Sequence, residues 1–225
     1  MIVALNNKSN LEKEEFINYI EGLNNIKTNT TLILCPTYLN IPLVNIDIPL
    51  GSQNVSINDN GAYTGEISAT QLKSFNVKYS IVGHSERREY QKETNEEIKE
   101  KINKLLENGI TPILCIGESK EERLNNTYKE VLKEELSILD TNSNVIIAYE
   151  PIWSIGTGII PTNDQITEVF EFIKGMFPNN KVLYGGSANV DNIDTLKNID
   201  LIDGYLLGGL SLKPDKLQIF LDKLN

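Results

Sequence analysis

One histidine, one tryptophan and two cysteines are all that the chain offers of its scarcest reactive or bulky residues. With His84 alone, and Cys35 and Cys115 far apart, an all-His or Cys/His zinc centre is excluded. No metal and no cofactor is expected. Each cysteine sits in a short apolar run and reads as a small buried hydrophobe, not as half of a disulfide. Basic residues are also in deficit: 21 Lys and Arg stand against 31 Asp and Glu, a formal net charge of -10. That balance argues against a nucleic-acid partner or an anionic membrane surface, both of which need a basic face. Long hydrophobic runs are missing too, and none approaches the roughly 20 residues that span a bilayer. The start, MIVALNNKSN, carries neither the basic nor the apolar region of a secretory signal, so a cytoplasmic protein is expected. A small anionic substrate remains compatible with the charge, since a few backbone amides and one Lys make a local positive site.

What the chain does contain is alternation. Short apolar runs at Ile2–Leu5, Thr31–Cys35, Tyr79–Gly83, Pro112–Ile116, Val145–Tyr149, Lys181–Tyr184 and Gly204–Leu207 are rich in Val, Ile, Leu and Tyr. Ile46–Gln53 is a weaker run of the same kind. Most show little apolar/polar alternation, the pattern of parallel strands covered on both faces. Helical patterns separate them at Leu11–Leu23, Glu93–Asn108, Thr127–Leu139, Thr162–Phe177, Asp191–Asn198 and Pro214–Leu224. Thr162 and Gln165 have the spacing of a capping box, Gly109 marks a helix stop, and Pro214 suits a first helical turn. Repeated strand–helix units imply an α/β fold with a parallel sheet. A closed (β/α)8 barrel of eight strands fits the count, and an open doubly wound sheet fits the pattern equally well. No low-complexity linker interrupts the 225 residues, so 1–225 is read as a single domain.

Several candidate functional residues follow strands. Glu150 ends the apolar run VIIAY and is a candidate general base. Pro151, Ile152, Trp153, Ser154, Ile155, Gly156, Thr157 and Gly158 then lead toward the Thr162 helix. Glycines near the end of this stretch and an apolar middle suit a lid. The two glycines do not make a dinucleotide fingerprint, because Pro161 stands where the third glycine belongs. His84 follows YSIVG and opens SERREYQ, so it lies just before helical structure, where backbone dipoles disfavour the imidazolium. Lys8 lies just past the first strand, where a barrel would aim it into the same mouth. Gly185-Gly186-Ser187 and Gly208-Gly209 follow the last two strands, the usual location of a phosphate site in a barrel.

Taken together, these residues resemble one family closely. AYEPIWSIGTG at Ala148–Gly158 and VGHSERREY at Val82–Tyr90 are similar to the signatures of triosephosphate isomerases. ALNNKSN at Ala4–Asn10, GAYTGEIS at Gly61–Ser68, PILCIGE at Pro112–Glu118, YGGSAN at Tyr184–Asn189 and DGYLLGGLSLKP at Asp203–Pro214 match in the family's order. The resemblance implies a TIM barrel that interconverts dihydroxyacetone phosphate and glyceraldehyde 3-phosphate through an enediolate, a step of glycolysis and gluconeogenesis. It implies Glu150 as base, His84 as electrophile, and Lys8 as the cation near the oxyanion, with Asn6 and Glu86 beside them. It implies phosphate contacts at Gly156, Ser187, Gly208 and Gly209, and an Arg87–Glu93 ion pair. It also implies a homodimer in which the loop carrying Thr64 inserts beside the partner's Lys8. Asn7, Ser9, Ile159 and Leu210 depart from residues common in the family, and Pro161 lies just beyond the far hinge of the lid. A Schiff-base aldolase on a similar barrel would need a Lys at the sixth strand's inner end, where Glu150 stands.

Overall fold

The computed structural model describes residues 1–155 and 160–224. Its strands are β1 (Ile2–Asn6), β2 (Thr31–Cys35), β3 (Gly51–Ser52), β4 (Tyr79–Val82), β5 (Thr111–Ile116), β6 (Ile146–Tyr149), β7 (Val182–Tyr184) and β8 (Gly204–Leu207). They form one eight-stranded sheet in the order β2-β1-β8-β7-β6-β5-β4-β3. The strand pairings are parallel. A parallel bridge between Leu34 and Leu50 joins β2 to the residue before β3, so the sheet closes on itself. The barrel, and not the open sheet, is therefore the architecture.

Alternate residues on each strand face opposite ways, and this divides the apolar residues into two cores. The inner core holds Ala4, Ile33, Cys35, Ile81, Ile113, Cys115, Ile146, Ala148, Leu183 and Leu206. These are small or branched side chains, as a narrow barrel interior demands. Both cysteines are free and buried there. The outer core lies between strands and helices, and the larger strand residues Tyr149, Tyr184 and Tyr205 point into it. There the Tyr149 and Phe170 rings meet edge to face, as do Tyr205 and Phe220.

The surrounding helices are α1 (Lys13–Asn24), α2 (Ala69–Ser74), α3 (Ser85–Tyr90), α4 (Asn95–Glu107), α5 (Lys120–Leu124), α6 (Tyr128–Leu136), α7 (Asn163–Met176), α8 (Ile193–Leu196) and α9 (Pro214–Leu224). The Thr162 capping box forms as expected at the start of α7, with Thr162 Oγ1 accepting from Gln165 N–H. The same device starts α2, α4 and α5. Among the described residues no helix is long and apolar enough to cross a membrane.

Two expectations need correction. The weak third run, Ile46–Gln53, contributes only Gly51–Ser52 as strand. Before it, Tyr38–Leu43 winds as a 3-10 helix containing Pro42, which removes a backbone donor. The segment Asp191–Asn198 is helical only over Ile193–Leu196.

Outer-core packing sets a stability expectation. Phe170 on α7 is wholly buried. Phe170→Ala is expected to lower unfolding free energy by about 3–5 kcal/mol, read from the urea midpoint. Leu124, 75% exposed, should change it by less than about 0.5 kcal/mol on replacement by Ala.

Candidate active site

Because neighbouring strands run parallel, their C-terminal ends share one rim, and the loops leaving that rim build the site. Asn6 ends β1, His84 follows β4 by two residues, Glu150 follows β6 directly, and Gly185 and Gly208 follow β7 and β8. Residues more than two hundred positions apart thereby line one cavity of about 300 Å³, among them Asn6, Lys8, His84, Glu150, Ser187 and Gly208. Gly209, Leu210, Ile155 and Asn189 also line it.

Glu150 is 2% exposed. Its Oε1 lies 3.1 Å from His84 Nε2, and its Oε2 accepts from the Ser85 N–H at 3.1 Å. Burial alone would push the carboxyl up, but the imidazole, the Ser85 amide and Lys8 outweigh it and hold Glu150 below its ordinary value. His84 is the N-cap of α3, and its Nδ1 accepts from the Glu86 N–H at 3.2 Å. That bond leaves the ring proton on Nε2, so the neutral tautomer points its N–H at Glu150. Burial pulls the His84 pKa down, yet the charge and hydrogen bond of Glu150, with help from Glu86, raise it above the ordinary value. The sequence pointed to a disfavoured imidazolium; with Glu150 in its present position the net effect is the reverse, because Glu150 and Glu86 outweigh burial and Lys8.

Lys8 takes a positive φ of 52°, an uncommon conformation for a residue with a side chain. Asn6 Oδ1 accepts from its N–H at 3.0 Å, and Gln53 Nε2 donates to its carbonyl at 2.9 Å. These two bonds hold the strained backbone in place. The ammonium reaches Glu86 Oε1 at 2.5 Å. A Cβ on Gly208 would come within 3.3 Å of Lys8 Cε, so glycine there lets the lysine stem lie across the β8 turn. Gly185 does the same for the base: a Cβ would meet Glu150 Cγ at 3.0 Å.

The loop after Glu150 begins with Pro151 and a 3-10 turn over Ile152–Ser154. Trp153 Nε1 donates to Glu118 Oε1 at 2.9 Å. The same oxygen accepts from Arg123 Nε and from the Tyr149 hydroxyl. Ser187 Oγ donates to the Ser154 carbonyl at 2.7 Å, so its hydroxyl proton ties down the start of the lid. The expected phosphate contact Gly156 and the lid residues Thr157 and Gly158 lie outside the described residues, as does Ile159.

The Arg87–Glu93 ion pair forms at 2.6 Å, and Glu93 also pairs with Lys101. Asn7 is buried within its own chain, donating to the Tyr19 hydroxyl and to Ser211 Oγ. Thr64 is exposed on the loop between β3 and α2. Glu118 and Gln53 were not singled out from sequence. Glu118 follows a strand end much as Glu150 does, which was the available signal; Gln53 had none.

A carboxylate, an imidazole N–H and an ammonium facing one cavity can together abstract a proton next to a carbonyl and stabilise the resulting oxyanion. Backbone turns after β7 and β8 beside them can hold a phosphate. A barrel with this equipment at its C-terminal rim is the kind that handles phosphorylated sugars. Residues 1–224 match the family model described as triosephosphate isomerase. A triosephosphate isomerase of Wolbachia sp. subsp. Brugia malayi (strain TRS) is 40% identical over 221 residues, 96% of this chain and 94% of that protein. One of Ruthia magnifica subsp. Calyptogena magnifica is 38% identical over 241 residues, 97% of each. One of Mycoplasmopsis pulmonis (strain UAB CTIP) is 40% identical over 225 residues, 93% of this chain and 90% of that protein. The chain belongs to the triosephosphate isomerase family.

His84 is the only histidine, so one imidazole signal reports the site by NMR. In the unmodified protein it should titrate above an ordinary histidine. Glu150→Gln removes the charge that raises it, leaving burial and Lys8 to pull it down, and the midpoint should fall. An unchanged midpoint would show that the two groups do not interact.

Proposed function

We propose that the protein is a cytoplasmic homodimer that interconverts dihydroxyacetone phosphate and D-glyceraldehyde 3-phosphate in glycolysis and gluconeogenesis, with residues 1–225 acting as one catalytic domain. The observation that carries this reading is the convergence of Glu150, His84 and Lys8 on one cavity bordered by the turns after β7 and β8. Pairing a glutamate base with a neutral imidazole is already known for this family, and the roles below apply that pattern.

Substrate entry would insert the carbonyl oxygen between His84 Nε2 and the Lys8 ammonium. This displaces the 3.1 Å contact between His84 and Glu150. The freed carboxylate takes a proton from the carbon next to the carbonyl. Charge grows on the oxygen, where the imidazole N–H and the ammonium stabilise it. Glu150 then returns the proton to the neighbouring carbon, while His84 Nε2 gives its proton to the oxyanion and recovers one from the adjacent hydroxyl, so that the carbonyl moves to the first carbon. Asn6 supports the turn that aims Lys8, and Glu86 orients both Lys8 and, through its backbone N–H, His84. Gly208, Gly209 and Ser187, together with Gly156, are assigned to the phosphate. Binding there is remote from the reacting carbons and can drive closure of Pro151–Gly158. Closure requires Trp153 and Ser154 to exchange their present bonds to Glu118 and Ser187 for new ones. Excluding water strengthens every electrostatic contact in the cavity.

A homodimer is supported by a second cavity of about 350 Å³ that adjoins the first and is lined by Lys8, Ser9, Tyr38, Gln53, Glu86 and Tyr90. The exposed loop that carries Tyr63 and Thr64 is suited to fill it on a partner subunit. Thr64→Arg would place a bulky charge there. It should shift sedimentation equilibrium toward monomer and lower kcat/KM. A dimer of unchanged stability would remove Thr64 from the interface.

The reading itself is tested by a coupled isomerase assay with both triose phosphates. Glu150→Asp retracts the carboxylate by one methylene, and a displacement of about 1 Å can cost on the order of 10²-fold in turnover. Folded Glu150→Asp protein with normal kcat would falsify the base assignment.

A further inference from the structure

Glu135 on α6 takes no part in the steps above, yet it is buried and tied to the backbone on both sides of the base. Its Oε2 accepts from the Gly117 N–H at 2.8 Å. Its Oε1 lies 3.3 Å from Arg88 Nε. Arg88 in turn donates to the Gly83 carbonyl at 2.9 Å and the Cys115 carbonyl at 3.4 Å, and also to Asn95 Oδ1. One carboxylate thus clamps the end of β5 to the turn that presents His84 and Ser85. Both clamped segments bear on the base: Ile116 accepts from the Glu150 N–H at 2.7 Å, and Ser85 holds the Glu150 carboxylate.

We propose that Glu135, through its contacts with the Gly117 amide and Arg88, is a positioning residue for Glu150 and His84 whose charge tunes the strength of the base. This rests on the isomerase reading of the site.

Four features support it. Burial lifts the Glu135 carboxyl to about 7, with Arg88 and the Gly117 amide opposing, and with Glu150 and Glu122 adding to the rise. The charged or titratable groups that bear on it are therefore Arg88 from α3, Glu122 from α5 and Glu150 after β6, with the Cys115 thiol of β5 also sensing its charge. The interaction of two carboxylates is mutual: an ionised Glu135 makes Glu150 hold a proton more tightly and so act as a stronger base. Protonation of Glu135 also leaves Arg88 without its counter-charge, loosening the clamp on Gly83 and Cys115.

The sign follows. Below neutrality Glu135 is protonated, the clamp is weak and the base is weaker. Above neutrality it is ionised, the clamp is charged and the base is stronger. Glu135→Gln keeps the size and can still accept from the Gly117 amide, but it is neutral at every pH. The experiment compares kcat/KM of the native protein and Glu135→Gln with glyceraldehyde 3-phosphate from about pH 5.5 to about pH 9. Titration of the substrate phosphate is common to both and cancels in their ratio. The ratio should be near one below about pH 6, rise through about pH 7, and level at roughly three- to tenfold above about pH 8. Glu135→Asp, which keeps a titrating group, should retain the step. A ratio independent of pH would overturn the proposal and leave Glu135 a structural residue.

A second measurement does not depend on folding of the variants. Carbon-13 NMR of glutamate-labelled native protein should show one buried carboxyl with a midpoint near neutrality, and absence of such a signal would also overturn the proposal. Native protein inactive at every pH would instead contradict the isomerase reading, and the carboxyl titration would still report on the clamp.

Discussion

A carboxylate sealed from water takes up a proton unless partners hold its charge, and the rest of this site is arranged around holding that of Glu150. The imidazole of His84, the amide of Ser85 and the ammonium of Lys8 share the task. His84 and Ser85 come from the junction of β4 and α3, Lys8 from the turn after β1, and Glu150 itself follows β6. They meet only because the strands are parallel and the sheet closes through the Leu34–Leu50 bridge. The barrel is in this sense the device that makes a buried, ionised base possible.

The polar groups around the cavity are partnered within the chain. Glu150 spends its hydrogen-bonding capacity on His84 and Ser85, Ser187 on the Ser154 carbonyl, and Trp153 on Glu118. The groups proposed for catalysis and lid closure therefore have partners before substrate arrives. A substrate oxygen and phosphate can replace those partners without leaving polar groups orphaned. The same economy explains the backbone of Lys8. Its positive φ is unfavourable by itself, but Asn6 and Gln53 fix it, and the ammonium consequently lies over Gly208 at the β8 turn.

Much of this was legible in the sequence. Seven apolar runs became strands of nearly the expected extent because parallel strands buried on both faces carry a dense signal. The capping box at Thr162 formed as read. The same signature at Ser68–Gln71 and Ser119–Glu122 starts helices of only six and five residues, too short to show periodicity. β3 was blurred because two residues suffice when Leu50 and Cys35 supply the neighbouring contacts. Catalytic candidates stood out by their position after strands. Glu135 did not, because it sits within an amphipathic helix where a glutamate ordinarily faces water. Only the packing of α6 against β5 turns it inward. The opposed influences on His84 were half legible: the helix terminus follows from SERREY, whereas contact with Glu150 exists only in three dimensions.

The central claim is that one carboxylate moves a proton between adjacent carbons of a phosphorylated triose. Running the isomerisation in deuterium oxide and following the product by proton NMR tests it most directly. A base that exchanges its captured proton with solvent should place deuterium at the carbon next to the carbonyl, in a single stereochemical position. Deuterium spread over both stereochemical positions of that carbon would mean that the proton returns from water and not from one fixed carboxylate, and would contradict the account.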